Sequence, residues 1–264
     1  MKKRTFLKAV LALTAACILF PMAVIVIWSV TGRWPWPNLL PESWTIRTLE
    51  ELIFGSAKLP ELLASSISLA AAVAALATVI SILTARATEF YEFRGKGLIR
   101  FSGMLPLLVP GTVFAMGIQL VMLKLRLADK IAGVVLVHLV CALPYCIAIM
   151  GDVTRAVGSR LEEQAQVLGA SPLRAFFAVT LPSLMPGVLS SMSMGFILSY
   201  SQYFTTLMVG GGRVKTIALV LVPYIQSGDR ALASAYSVAF VGSAMAVFFI
   251  FEALIKKIQK EGTA

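Results

Sequence analysis

Six long apolar runs decide what this chain can fold into. They occupy residues 6–30, 64–84, 101–123, 131–150, 184–209 and 231–251. About 20 apolar residues in helical form cross the hydrocarbon core of a bilayer, and within lipid a helix satisfies its own backbone polar groups. Each run therefore predicts a spanning helix, and the chain reads as an all-α polytopic membrane protein with six transmembrane helices. Composition points the same way: 58% of the 264 residues are hydrophobic, only 14% are charged, and mean hydropathy is +0.86. Soluble domains of this size are rarely so apolar. The first run follows Lys2, Lys3, Arg4 and Lys8, which is also how a signal peptide opens. Thr14-Ala15-Ala16-Cys17 is a poor version of a lipoprotein cleavage site, and the run continues to Val30. An uncleaved first span is the expectation.

The net charge of +10 does not call for nucleic acid, because Lys and Arg cluster at the edges of the apolar runs. That placement fits anionic lipid and the positive-inside rule. With six spans both termini lie on one side. Fourteen Lys and Arg then share that side (2, 3, 4, 8, 86, 94, 96, 100, 155, 160, 174, 256, 257 and 260) against nine on the other. The excess places the termini and the 151–183 connection in the cytoplasm. Cys17, Cys141 and Cys146 all fall inside apolar runs and make no disulfide framework.

Between the first two runs, residues 31–63 form a polar connection. Trp28, Trp34, Trp36 and Trp44 lie in or just before it. Amphipathic indoles favour the headgroup level, so interface anchoring is the expectation, with an aromatic ligand platform as the alternative. Pro35, Pro37 and Pro41 exclude regular helix there. The third run is interrupted by Pro106, Pro110 and Gly111, a break tolerated where backbone faces protein or a cavity. Residues 216–226 are apolar but too short to cross, so an interfacial or re-entrant helix is predicted.

The connection between the fourth and fifth runs has a character of its own. Ser159 and Glu162 have the S-x-x-E spacing of a capping box, so a helix is predicted from Ser159. Leu161, Ala165 and Leu168 form one stripe of it. Gly169 then ends the helix as a residue free to take positive φ. Ser171 as N-cap and Pro172 at the first helical position restart one. Leu181-Pro182 and Pro186 lead into the next run. The product is a helix–turn–helix over 159–182 at the membrane surface.

This stretch resembles the EAA loop of permease subunits of type I ABC importers. The family pattern is Glu-Ala-Ala, three residues, Gly, nine residues, Ile-x-Leu-Pro. Here it reads Glu163-Gln164-Ala165, Gly169 and Val179-Thr180-Leu181-Pro182, with Gln164 for Ala and Val179 for Ile. The resemblance implies one permease domain over 1–264, with a first span (6–30), a core (64–251) and a coupling loop (159–182). It also implies that Glu163, Gln164, Ala165, Gly169, Ala170, Ser171 and Pro172 meet a cytoplasmic ATPase. Further implied partners are a second permease subunit, the same or different, and an extracytoplasmic solute-binding protein. The expected setting is a bacterial-type inner membrane. Residues 201–216 are similar to permeases for polyamines, thiamine, iron or related small solutes.

No P-loop is present, so ATP and magnesium would be bound by the partner ATPase, with no cofactor and no enzyme activity in this chain. Gly95-Lys96-Gly97 lacks the preceding glycine, and Gly210-Gly211-Gly212-Arg213 follows a span rather than a strand, which argues against phosphate binding. His138, Cys141 and Cys146 make a poor metal set, since no acid lies nearby. A buried histidine paired with a neighbouring helix is the expectation. On the fifth run, Gly195, Ser199, Gln202, Tyr203 and Thr206 fall at helical spacings on one side. Ser199, Gln202, Tyr203 and Thr206 either line a translocation path or make interhelical hydrogen bonds. No run carries a central Asp or Glu, which weighs against the alternative of an ion-coupled secondary carrier. A non-transport membrane scaffold is the other alternative.

Overall fold

The computed structural model describes residues 2–35, 37–55 and 58–261, so Trp36 lies outside the described residues. In chain order the elements are α1 (Lys2–Trp28), β1 (Thr31–Arg33), β2 (Ser43–Trp44), α2 (Arg47–Phe54), α3 (Leu59–Phe90), α4 (Lys96–Leu108), α5 (Gly111–Lys124) and α6 (Ile131–Val157). They continue with α7 (Arg160–Val167), α8 (Pro172–Ala175), a π-helical turn (Phe176–Thr180), α9 (Leu181–Tyr200), α10 (Phe204–Gly210), α11 (Ile217–Ser227) and α12 (Arg230–Glu261). Among the described residues, five helices are long and apolar enough to cross a membrane: 6–28, 59–90, 131–157, 172–200 and 230–257. In the third predicted span, α4 and α5 meet at 109°, and counting that bent pair as one span gives six. The break falls at the predicted Pro110 and Gly111, while Pro106 stays inside α4. Val109 is extended, as a residue before proline prefers, so α4 ends at Leu108 and Pro110 is the N-cap of α5.

Two compact units divide the chain, 1–63 with 217–243 and 64–216 with 244–264. In the first, α1 carries Pro21 without breaking. The connection after it holds a small antiparallel hairpin, Thr31 opposite Trp44 and Arg33 opposite Ser43, which the prolines had concealed. Trp28 meets Trp34 edge-on at 5.8 Å, and the Arg230 guanidinium lies 5.3 Å from the Trp28 ring centre. Trp44 is exposed. The short apolar segment forms α11, eleven residues long, as expected for a helix that does not cross. Its Tyr224 stacks on Tyr236 of α12 at 5.1 Å.

The second unit holds the larger core. On α3, Ala70, Val73, Ala74 and Ala77 are fully buried, spaced so that one narrow, small-residue face is presented to its neighbours. That face lets helices approach closely where lipid supplies no hydrophobic drive. Gly195 of α9 completes the approach: a Cβ there would stand 3.2 Å from the Ala74 Cα and 3.3 Å from the Cys146 Sγ. Val134, Val137, Ala142 and Cys146 of α6 and Val209 of α10 close this part of the core. A second cluster, towards the 151–183 connection, joins Ile82 and Ala85 to Met150, Leu184 and Val188.

The fifth predicted span departs from expectation in its limits. One helix runs unbroken from Pro172 to Tyr200, through the π turn. The chain then leaves helix at 201–203 and resumes as α10. Thr206 Oγ1 donates to the Gln202 carbonyl at 2.7 Å, and Thr205 Oγ1 to Gln202 Oε1 at 2.8 Å. Such local side-chain bonds hold a break that hydropathy does not register.

Candidate functional site

The helix–turn–helix of residues 159–182 is present, and its turn has a recognisable chemistry. The Ala170 N–H donates to the Ala165 carbonyl at 3.0 Å and the Gly169 N–H to that of Gln166 at 2.9 Å. Those two bonds are a Schellman motif, with Gly169 at φ +91° in the left-handed position. Ser171 caps the next helix through its side chain, which accepts from the Arg174 N–H at 3.4 Å, and Pro172 takes the first turn.

The start of the loop corrects the sequence reading. Ser159 stands at the N-cap of α7 but its hydroxyl makes no cap bond. Glu162 is not a capping-box partner, because its carboxylate is engaged elsewhere. Arg86 Nη1 and Nη2 donate to Oε2 and Oε1 at 2.8 and 2.9 Å, and Thr180 Oγ1 donates to Oε2 at 2.7 Å. The Arg86 hydrogen bonds hold this carboxyl below the ordinary Glu range, with help from Thr180, against burial that pushes it up. A bidentate charge-assisted pair outcompetes a single backbone N–H. Nothing local marks Glu162 for this role; Arg86 reads in the sequence as one more basic flank of a span.

The predicted coupling residues lie together at the surface. Glu163, Gln164, Gly169, Ser171 and Pro172 are exposed, and Ala165 and Ala170 are half-buried. Arg160, Glu163, Gln164, Val167 and Leu168 line an open hollow of about 520 Å³. Around it the loop shows large apolar side chains to the outside. Val167 is 87% exposed, Leu168 88% and Leu173 73%. The predicted stripe of Leu161, Ala165 and Leu168 is thus largely uncovered by its own chain.

The four predicted path residues separate. Ser199 and Thr206 are buried within the unit, and His138 joins them: Nδ1 lies 2.9 Å from the Ser199 hydroxyl and Nε2 2.9 Å from that of Thr206. Both side chains therefore make contacts between helices, with His138 of α6. A neutral imidazole has one donor and one acceptor, so both contacts can be hydrogen bonds and both ring nitrogens are occupied. Gln202 and Tyr203 are half-buried. Gln202 lines a cavity of about 210 Å³ with Pro106, Gly111, Cys141, Tyr145 and Thr205. The two chain breaks, 109–110 and 201–203, therefore meet at one cavity. The glycine triplet is a turn: Gly211 and Gly212 have positive φ, the Asp129 N–H donates to the Val209 carbonyl at 2.8 Å, and the Asp129 carboxylate fills the space a Gly211 side chain would need.

A polytopic helical subunit that presents an exposed helix–turn–helix on a broken-helix core is the architecture of a transporter's membrane permease. Known proteins agree. The family described as binding-protein-dependent transport system inner membrane component matches residues 77–261, and the chain belongs to that family. It is a type I ABC importer permease and a multi-pass inner-membrane protein. It is 26% identical over 252 residues to the putrescine transport system permease protein PotI of Escherichia coli K12, covering 91% of this chain and 87% of that protein. To the molybdate/tungstate transport system permease protein WtpB of Pyrococcus abyssi it is 28% identical, covering 63% and 66%. The crystal structure of a bacterial ABC transporter involved in the import of the acidic polysaccharide alginate superposes with a TM-score of 0.71 at 18% identity, covering 97% of this chain and 96% of that one. That likeness shows a shared fold.

Proposed function

We propose that this chain forms half of the membrane pathway of an ATP-driven importer for a small solute. In this reading the exposed loop docks on a cytoplasmic ABC ATPase, a second permease completes the pathway, and an extracytoplasmic binding protein delivers the solute. The observation that carries it is the loop itself, a turn fixed by a Schellman motif with Val167, Leu168 and Leu173 bare around it. Hydrolysis belongs to the partner, which holds ATP and magnesium. Relatives named for putrescine, for spermidine and putrescine, and for molybdate and tungstate favour a small charged solute. The cavity at the two chain breaks has a volume suited to one, and Gln202, Thr205, Tyr145 and Cys141 bring polar side chains to its lining. Reconstitution with the ATPase is the test: hydrolysis should rise when binding protein carrying its solute is added. A secondary carrier or a scaffold would leave hydrolysis unchanged.

The Lys and Arg excess supports cytoplasmic termini and a cytoplasmic loop. In a background with Cys17, Cys141 and Cys146 replaced by alanine, single cysteines at Ser43 and Lys130 should react with an impermeant maleimide on intact cells. One at Ser171 should react only after permeabilisation. All three positions are exposed in the structure, so labelling of residue 171 in intact cells reverses the topology.

A further inference from the structure

Three side chains distant in sequence meet beneath the docking loop. Arg86 lies on the last turns of α3, Glu162 on the first turn of α7, and Thr180 closes the π turn that leads into α9. Arg86 grips both carboxylate oxygens of Glu162, and Thr180 adds its hydroxyl to one of them. The guanidinium also lies 4.7 Å from the ring centre of Phe176, the first residue of the π turn, and 5.6 Å from that of Phe90. The cluster is enclosed: Glu162 is 9% exposed and Thr180 3%.

What else holds α7 is little. It has eight residues, and Glu162 is its one buried side chain. A helix so short has no stability of its own in water, and Leu161, Val167 and Leu168 are exposed. A loop fastened only by backbone would swing when its partner pulled on it. The polar cluster instead ties it to two membrane helices at one point.

Resting on the importer reading above, we propose that Arg86, Glu162 and Thr180 are positioning residues that fasten the docking helix α7 to α3 and α9 together, so that a displacement imposed on α7 reaches both spans at once. None of the three needs to touch the ATPase for this. Their loss should spare docking and uncouple it.

The test uses the complete complex of permease, its ATPase and its second permease in proteoliposomes, with the binding protein carrying its endogenous solute as the probe. Thr180→Val removes the hydroxyl at constant size, and Glu162→Gln removes the charge. Both should co-purify ATPase at the wild-type ratio, while stimulation of hydrolysis by the binding protein falls about tenfold, a usual scale for coupling between sites. Thr180→Ser should restore stimulation, and the exchange Arg86→Glu with Glu162→Arg should restore part of it. Wild-type stimulation in both Thr180→Val and Glu162→Gln overturns the proposal. Loss of ATPase co-purification in Thr180→Val also overturns it, because the cluster then builds the docking surface rather than transmitting through it. A wild-type complex that shows no stimulation overturns the importer reading instead.

Discussion

Gly169→Val should reduce uptake to near zero while leaving the amount of protein in the membrane unchanged. At φ +91° the left-handed conformation costs a non-glycine residue roughly 1–2 kcal/mol, and more when the side chain is β-branched. Relief requires the backbone to turn away, which breaks the two Schellman bonds to Ala165 and Gln166. The ends of α7 and α8 then part. No atom lies within 4 Å of a Cβ built on Gly169, so the variant strains the turn without disturbing any packing contact. Folding and insertion should therefore survive, and hydrolysis should lose its response to the loaded binding protein. Gln164→Ala is the matching control: it is exposed, alanine favours helix, and uptake should be retained. Normal uptake by Gly169→Val at normal protein levels would remove the loop from force transmission.

Gly195→Leu should act on assembly of the helices themselves. A single Cβ at this position already stands 3.2 Å from the backbone of α3 and 3.3 Å from Cys146. Leucine adds three further carbons between helices that have no slack. Overpacking of a tight core costs typically 1–3 kcal/mol and sometimes more, and in lipid the lost contacts are the main source of helix association. The variant should accumulate poorly and melt several degrees lower in detergent, whereas Gly195→Ala should need shifts of only a few tenths of an ångström. An unchanged melting temperature for the leucine variant would mean that the α3–α9 approach is looser than the structure has it.

Hydropathy located the spanning helices well, because lipid imposes one rule on every one of them. It placed their ends badly. α3 runs to Phe90, α6 to Val157 and α12 to Glu261, all beyond their apolar runs, since a helix that leaves the bilayer continues in water with polar residues. Pro110 marked a break but not an angle of 109°, and Pro106 was accommodated inside α4. Within the loop, Gly169, Ser171 and Pro172 were legible because turn chemistry is local. Glu162 was misread for the complementary reason. Its S-x-x-E spacing is a local pattern, while its partner Arg86 lies 76 residues away. Ser199 and Thr206 show the same limit: their polarity was visible, but His138, which takes both, is on another helix.

The unbroken helix from Pro172 to Tyr200 has 29 residues. At 1.5 Å per residue it is a rod about 43 Å long. One of its ends carries the exposed Leu173, and the other stops at the break beside Gln202. A rod that pivots near its middle is a seesaw. A tilt of about 10° carries each end by about 4 Å, in opposite directions. If two such subunits dock as proposed, drawing their docked ends together would spread their far ends apart. Which side of the membrane is open would be set by the sign of a single angle.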